Sequence, residues 1–182
     1  GGGVLIDWGI HFLDLILYIL GDAKLKNVTC DTYCEMAKDM KSYKYKKMWA
    51  EDTADVENGV NDVDDFVTGY IRTDKASISF NGAWAQNINQ HDMFIDFLGD
   101  KAGIRLNYGG NFTVWGTKDG RLTEEVPEFE SVNMFQNEID SFIRCVRTGE
   151  KLPSHIDQVI ITARMMQAIY DSSEAGEEIK LE

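Results

Sequence analysis

The sequence predicts an α+β fold, and three features carry that expectation. An apolar helix opens the chain. A run of short alternating segments, separated by turns, fills residues 66–126. Two stretches with helical spacing of apolar residues then close the chain. Consecutive hairpins flanked by helices favour a large open sheet, predominantly antiparallel or mixed, with helices on one face. At 182 residues, with 43% hydrophobic side chains, the chain has material for a core and reads as a single domain over 1–182.

The first element is the apolar run Ile10–Leu20, which predicts a buried helix interrupted only by His11 and Asp14, with Gly21 as its stop. Val28, Cys30, Thr32 and Cys34 alternate as in a strand. Residues 38–65 break the pattern: lysines (Lys38, Lys41, Lys44, Lys46, Lys47) precede a block of acids from Glu51 to Asp65. This reads as an exposed connection or lid, with Trp49 the residue that argues for docking. Phe66–Arg72, a turn at Thr73-Asp74-Lys75, and the alternation of Ala76, Ile78 and Phe80 form a hairpin; Trp84 continues that face, and Ser77, Ser79, Asn81 and Ala83 share the other. Met93–Phe97, Ile104–Tyr108, Phe112–Trp115 and Arg121–Val126 add short strands. Phe135, Ile139, Phe142, Ile143 and Val146 mark a helix ended by Gly149. Pro153 and Ser154 open another, with Ile156, Val159, Ile160, Ala163 and Tyr170 as its core stripe and Gly176 as its stop. Glu178–Leu181 reads as a last strand.

Bulk properties exclude several functions. A net charge of −13 argues against nucleic acid and anionic membrane surfaces as partners. The longest apolar run is well short of the ~20 residues a bilayer requires. Three cysteines without a C-x-x-C pair give neither a disulfide framework nor a zinc knuckle. Together with the lack of a secretory signal in the sequence, this points to the cytoplasm.

Chemistry concentrates near the start. On an ideal helix Asp7, His11 and Asp14 fall within an arc of about 60°. Ionisable groups on an apolar helix need partners or a task. A metal is not expected, because the outer two carboxylates stand roughly 10 Å apart along the axis. No G-x-S-x-G elbow and no G-x-G-x-x-G loop is present, so neither a serine nucleophile nor a nucleotide cradle is expected. General acid–base work suits the set: histidine exchanges protons near neutrality, one carboxylate can orient it, and another can accept from substrate hydroxyls. The same residues also suit a structural arrangement, with Asp7 as a helix cap and His11 paired with Asp14 in the core.

The stretch Gly1-Gly2-Gly3, Asp7, Gly9, His11, Asp14, Gly21 resembles the signature G-G-G-x-x-x-D-x-G-x-H-x-x-D of the glucose–fructose oxidoreductase, inositol dehydrogenase and rhizopine-catabolism (Gfo/Idh/MocA) family. Ala83-Trp84-Ala85 with Asn87, Phe97–Gly103, Arg147–Lys151 and Ile169–Ser173 resemble later family segments, so the likeness spans nearly all of the chain. The resemblance implies the C-terminal domain of a two-domain enzyme whose N-terminal Rossmann domain, absent from this chain, binds NAD or NADP. His11 would then be the acid–base group, Asp7 would support proton transfer and position substrate, and Asp14 would bind substrate. No cofactor-binding residue is expected here, and the isolated chain is expected to be inactive. The implied reaction is oxidation of a CH–OH group of a sugar or polyol, in a homo-oligomer formed through the open sheet face. The alternative is a non-catalytic binding or dimerisation module on the same scaffold.

Overall fold

The computed structural model describes residues 2–21, 23–36, 38–39, 55, 58–84, 92–152 and 154–181. Most of the charged 38–65 connection, including Trp49, lies outside the described residues. The chain forms two compact units, Gly1–Asn87 with Ser154–Glu182, and Ile88–Pro153.

In the first unit the chain enters through a π-helical turn, Leu5–Gly9, that runs directly into α1, Ile10–Leu20. Strands β1 (Leu25–Tyr33), β2 (Phe66–Thr73) and β3 (Ser77–Ala83) follow. Helix α3 (Ile156–Ala175) and the short β8 (Ile179–Lys180) return to the same unit. The sheet order is β3-β2-β1-β8, with every pair antiparallel. Period-two alternation sends Val28 and Cys30 of β1 into the core while Thr29 and Asp31 stay exposed. Val67, Ile71 and Ile78 join them from the neighbouring strands. Leu5, Leu13, Met165, Met166, Ala168 and Ile169 close the core from the helices. Gly69 stands opposite Cys30, where a Cβ would come within 2.8 Å of the sulfur and 2.9 Å of the Thr29 carbonyl. A side chain there would push the two strands apart.

The second unit is a meander of β4 (Phe94–Leu98), β5 (Ala102–Asn107), β6 (Phe112–Lys118) and β7 (Arg121–Glu125), antiparallel in sequence order, followed by α2 (Met134–Thr148). Asp96 and Arg105 face each other across β4 and β5 in a bidentate pair at 2.7 and 2.6 Å, and the guanidinium lies 4.1 Å from the Phe94 ring. That guanidinium holds the Asp96 carboxyl below the usual carboxylate range. Asn133 caps α2 by accepting from the Gln136 amide, and Gly149 ends it in the left-handed conformation (φ 75°).

The α+β class, the antiparallel pairing and the helix positions match the sequence reading; the strands divide into two four-stranded sheets. Four details differ. Helix α1 buries only Leu13 fully, and Tyr18 and Ile19 are exposed, because it lies at the margin of the core. Helix α3 starts at Ile156 behind a cap from His155, whose Nδ1 accepts from the Asp157 amide at 3.3 Å. Its buried side carries Thr162, Met165, Met166, Ala168, Ile169 and Ser172, whereas Ile156, Val159, Ile160 and Ala163 of the expected stripe are exposed. A hydropathy stripe misses this side because two hydroxyls belong to it. Ser172 Oγ takes the Cys30 amide and donates to the Glu177 carbonyl, so its burial is compensated. Finally, Asp64 and Asp65 are buried at the end of a block read as solvated.

All three cysteines are free thiols. Burial, and then the Asp31 charge, push the Cys30 thiol from 9.0 up to about 12. Between those values the unfolded chain releases a proton that the native chain keeps, so stability falls as pH rises through that window. The Tyr170 phenol, also raised, acts in the same direction. Urea unfolding at stepped alkaline pH is expected to show this decline, and Cys30→Ala is expected to flatten it.

Candidate active site

The site is built outward from the chain entry. The Asp64 carboxylate, buried just ahead of β2, accepts the Leu5 amide on Oδ2 at 2.8 Å and the Tyr170 hydroxyl on Oδ1 at 2.7 Å. The Asp64 carbonyl accepts the Val4 amide at 2.8 Å. Two amides at the start of the first helix, which lack intrahelical partners, are thereby satisfied by one residue. Gly3 lies against this carboxylate, and a Cβ there would overlap it. Tyr170 can serve as a donor at any ordinary pH: burial first, and then its bond to Asp64, raise its phenol well above the normal range.

The helix so anchored carries the three residues predicted from sequence. It does reach back to Asp7, but as a π-helical turn, whose i→i+5 bonding takes more residues per turn. The 3.6-residue arithmetic therefore does not hold before Ile10. Asp7 is exposed and accepts the Trp84 indole N–H on Oδ2 at 2.9 Å. His11 and Asp14, three apart on the regular part of α1, share one side of the helix. His11 is exposed and meets the Trp8 ring edge-on, centroids 6.4 Å apart. Asp14 is half-buried and accepts the Thr162 hydroxyl from α3 at 2.5 Å.

His11, Asp14 and Thr162 open onto a cleft of about 310 Å³ between α1 and α3, walled by Ile10, Leu15, Tyr18 and Val159. The structure thus brings His11 and Asp14 to one cleft and holds Asp7 one turn earlier, outside its lining. No hydrogen bond joins His11 to either carboxylate. The structural alternative is overturned: Asp7 is inside the helix rather than capping it, and His11 is neither buried nor paired with Asp14. An exposed imidazole beside an anchored carboxylate can exchange a proton with a hydroxylated ligand. Among the described residues no group of three His, Cys, Asp or Glu side chains is placed to hold a metal ion, and no helix is long and apolar enough to cross a membrane.

Sequence reading misses Asp64 and Thr162, places Tyr170 on a core stripe with no polar role, and gives Trp84 no partner. The available signal was the pair Asp64-Asp65 immediately before a strand that needs no charge. Thr162, within an apolar run, gave none.

The chain is a member of the Gfo/Idh/MocA oxidoreductase family, C-terminal α/β domain, whose profile matches residues 1–181. It is 28% identical over 183 residues to D-glucoside 3-dehydrogenase of Escherichia coli (strain K12), covering all of this chain and 49% of that protein. Its fold is similar to levoglucosan dehydrogenase in complex with NADH (TM-score 0.79, 16% identity, 100% of this chain and 51% of that one). It is also similar to aldose-aldose oxidoreductase from Caulobacter crescentus complexed with glycerol (TM-score 0.72, 18% identity, 99% of this chain and 48% of that one). The chain spans about half the length of the relatives it matches.

Thr162→Val removes the hydroxyl that Asp14 accepts while keeping the side-chain shape. The variant is expected to fold and to lose about 1–2 kcal/mol. An unchanged urea midpoint would show that water replaces the bond without loss.

Proposed function

We propose that residues 1–182 act as one C-terminal substrate-binding and catalytic domain of an NAD(P)-dependent oxidoreductase that oxidises a CH–OH group of a sugar or polyol, with glucosides the first class to test. The observation that supports this best is the joint opening of His11 and Asp14 onto one cleft, on a helix that carries the family signature. The relationship to a D-glucoside 3-dehydrogenase supports the substrate class.

The residues present do not fit a dinucleotide. Gly2 and Gly3 lead into a π-helical turn rather than following a strand, and Gly3 is packed on Asp64, which leaves no cradle for phosphates. The cofactor therefore belongs, in this proposal, to a domain outside the chain. Bound there, NAD or NADP supplies the hydride acceptor. This chain's residues handle the hydroxyl. Asp14 and Asp7 accept hydrogen bonds from substrate, and the His11 imidazole takes the hydroxyl proton as the carbon becomes a carbonyl. In the reverse direction His11 returns it. The exposed Ser77, Ser79 and Asn81 face of β3 offers small side chains for sheet packing in a homo-oligomer. Three free thiols accord with the cytoplasm.

In the intact protein His11→Ala is expected to lower kcat by on the order of 10²-fold or more with an unchanged circular dichroism spectrum. Turnover near that of the parent would remove the acid–base assignment. The isolated chain is expected to give no heat on titration with NAD or NADP in calorimetry. Saturable binding would relocate the cofactor site into this domain.

A further inference from the structure

We propose that Trp84 is a positioning residue for the reaction: its indole N–H holds Oδ2 of Asp7, so that Oδ1 alone is presented to the substrate. This rests on the reading of Asp7 given above. The observation is the 2.9 Å bond from Trp84 Nε1 to Asp7 Oδ2, which joins residues 77 positions apart. Among the described residues no other hydrogen bond reaches the Asp7 carboxylate.

The two partners are tied to adjacent residues, Asp64 and Asp65. Asp64 fixes the helix that carries Asp7, through the Val4 and Leu5 amides. The Asp65 carbonyl accepts the Trp84 backbone amide at 3.2 Å. Strand register adds a third constraint, because Ala83 pairs with Phe66, the residue that follows Asp65. The Trp84 ring packs against the core of the first unit, which fixes its direction. The indole and the carboxylate are thus set from one short, buried stretch of chain.

The chemistry suits positioning rather than proton exchange. An indole N–H only donates, carries no charge and does not titrate, so it can hold an ionised carboxylate without competing for the substrate proton. Fixing one oxygen removes the rotation that would otherwise exchange the two. Phenylalanine at this position would keep an aromatic ring and lose the donor.

Trp84→Phe, Asp7→Ala and the double variant, made in the intact protein and assayed with NAD and methyl β-D-glucopyranoside, test the proposal. Trp84→Phe is expected to lower kcat/KM roughly 10- to 100-fold, the range for loss of a hydrogen bond to a charged group. In the Asp7→Ala background it is expected to change kcat/KM less than about twofold, since the group it acts through is gone. An equal loss in both backgrounds overturns the proposal and leaves Trp84 a packing residue. The indole proton gives a readout that needs no turnover. Its nuclear magnetic resonance signal, assigned by its loss in Trp84→Phe, is expected to be protected from exchange and to lose protection in Asp7→Ala. Protection that persists without Asp7, or is absent from the parent, overturns the proposal. If the parent shows no turnover with any sugar or polyol, the function proposed above falls, and the indole signal decides the Trp84–Asp7 contact by itself.

Discussion

The site depends on one buried carboxylate. Asp64 accepts two hydrogen bonds on its side chain and one on its carbonyl, and through them it joins the opening helix, the start of β2 and the middle of α3. Hydrogen bonds to a charged group contribute about 1.5–3 kcal/mol each, and leaving a buried donor unpaired is costly. The charge is also well placed electrostatically, because the first turn of a helix favours an anion. Burying an unpaired carboxylate would be expensive, so its two donors, the Leu5 amide and the Tyr170 hydroxyl, are a condition of its being there. The contact with Gly3 follows from the same geometry: the chain must pass close over Asp64 for the Val4 amide to reach its carbonyl and the Leu5 amide its carboxylate.

Helix α1 is consequently fixed at its first turn and exposed along its far side. It can be apolar for most of its length and still present His11 to solvent, because only Leu5 and Leu13 commit fully to the core. The bond from Thr162 to Asp14 ties it to α3 a second time and creates one wall of the cleft. The carboxylates are each engaged by a neutral donor, Trp84 or Thr162, rather than by His11. The imidazole is bonded to neither carboxylate, so the proton exchange proposed for it would not compete with an internal ion pair. In many enzymes the final hydrogen bonds tighten only when substrate arrives, so this separation is compatible with acid–base work.

The chain belongs to an oxidoreductase family and spans about half the length of the relatives it matches, and the division of labour between domains is the proposal made above. The π-helical turn bears on this as well. It changes the angular relation between Asp7 and His11 from that of an ideal helix and directs Asp7 to the sheet edge where Trp84 lies. Such wide turns recur at functional positions because they re-aim side chains without breaking the helix.

The sequence by itself determined the α+β class, the strand segments and where the helices lie and end, because these follow from local periodicity and from glycine stops such as Gly21, Gly149 and Gly176. It also put His11 and Asp14 on one helix, and Asp7 with them on the condition that the helix reach back that far, which it does as a π-helical turn. Only the tertiary structure decided what each of them touches. Trp84 meets Asp7 across 77 positions and Thr162 meets Asp14 across 148, and spacing rules reach no further than a turn of helix or a hairpin. The buried side of α3 was hidden for a related reason: Thr162 and Ser172 look polar in sequence, and their burial is compensated by Asp14 and Cys30 from distant parts of the chain and by the Glu177 carbonyl just past the helix end. Asp64 is the clearest case. In sequence it is one more acid in a charged block, and its role exists only once distant amides and a phenol converge on it.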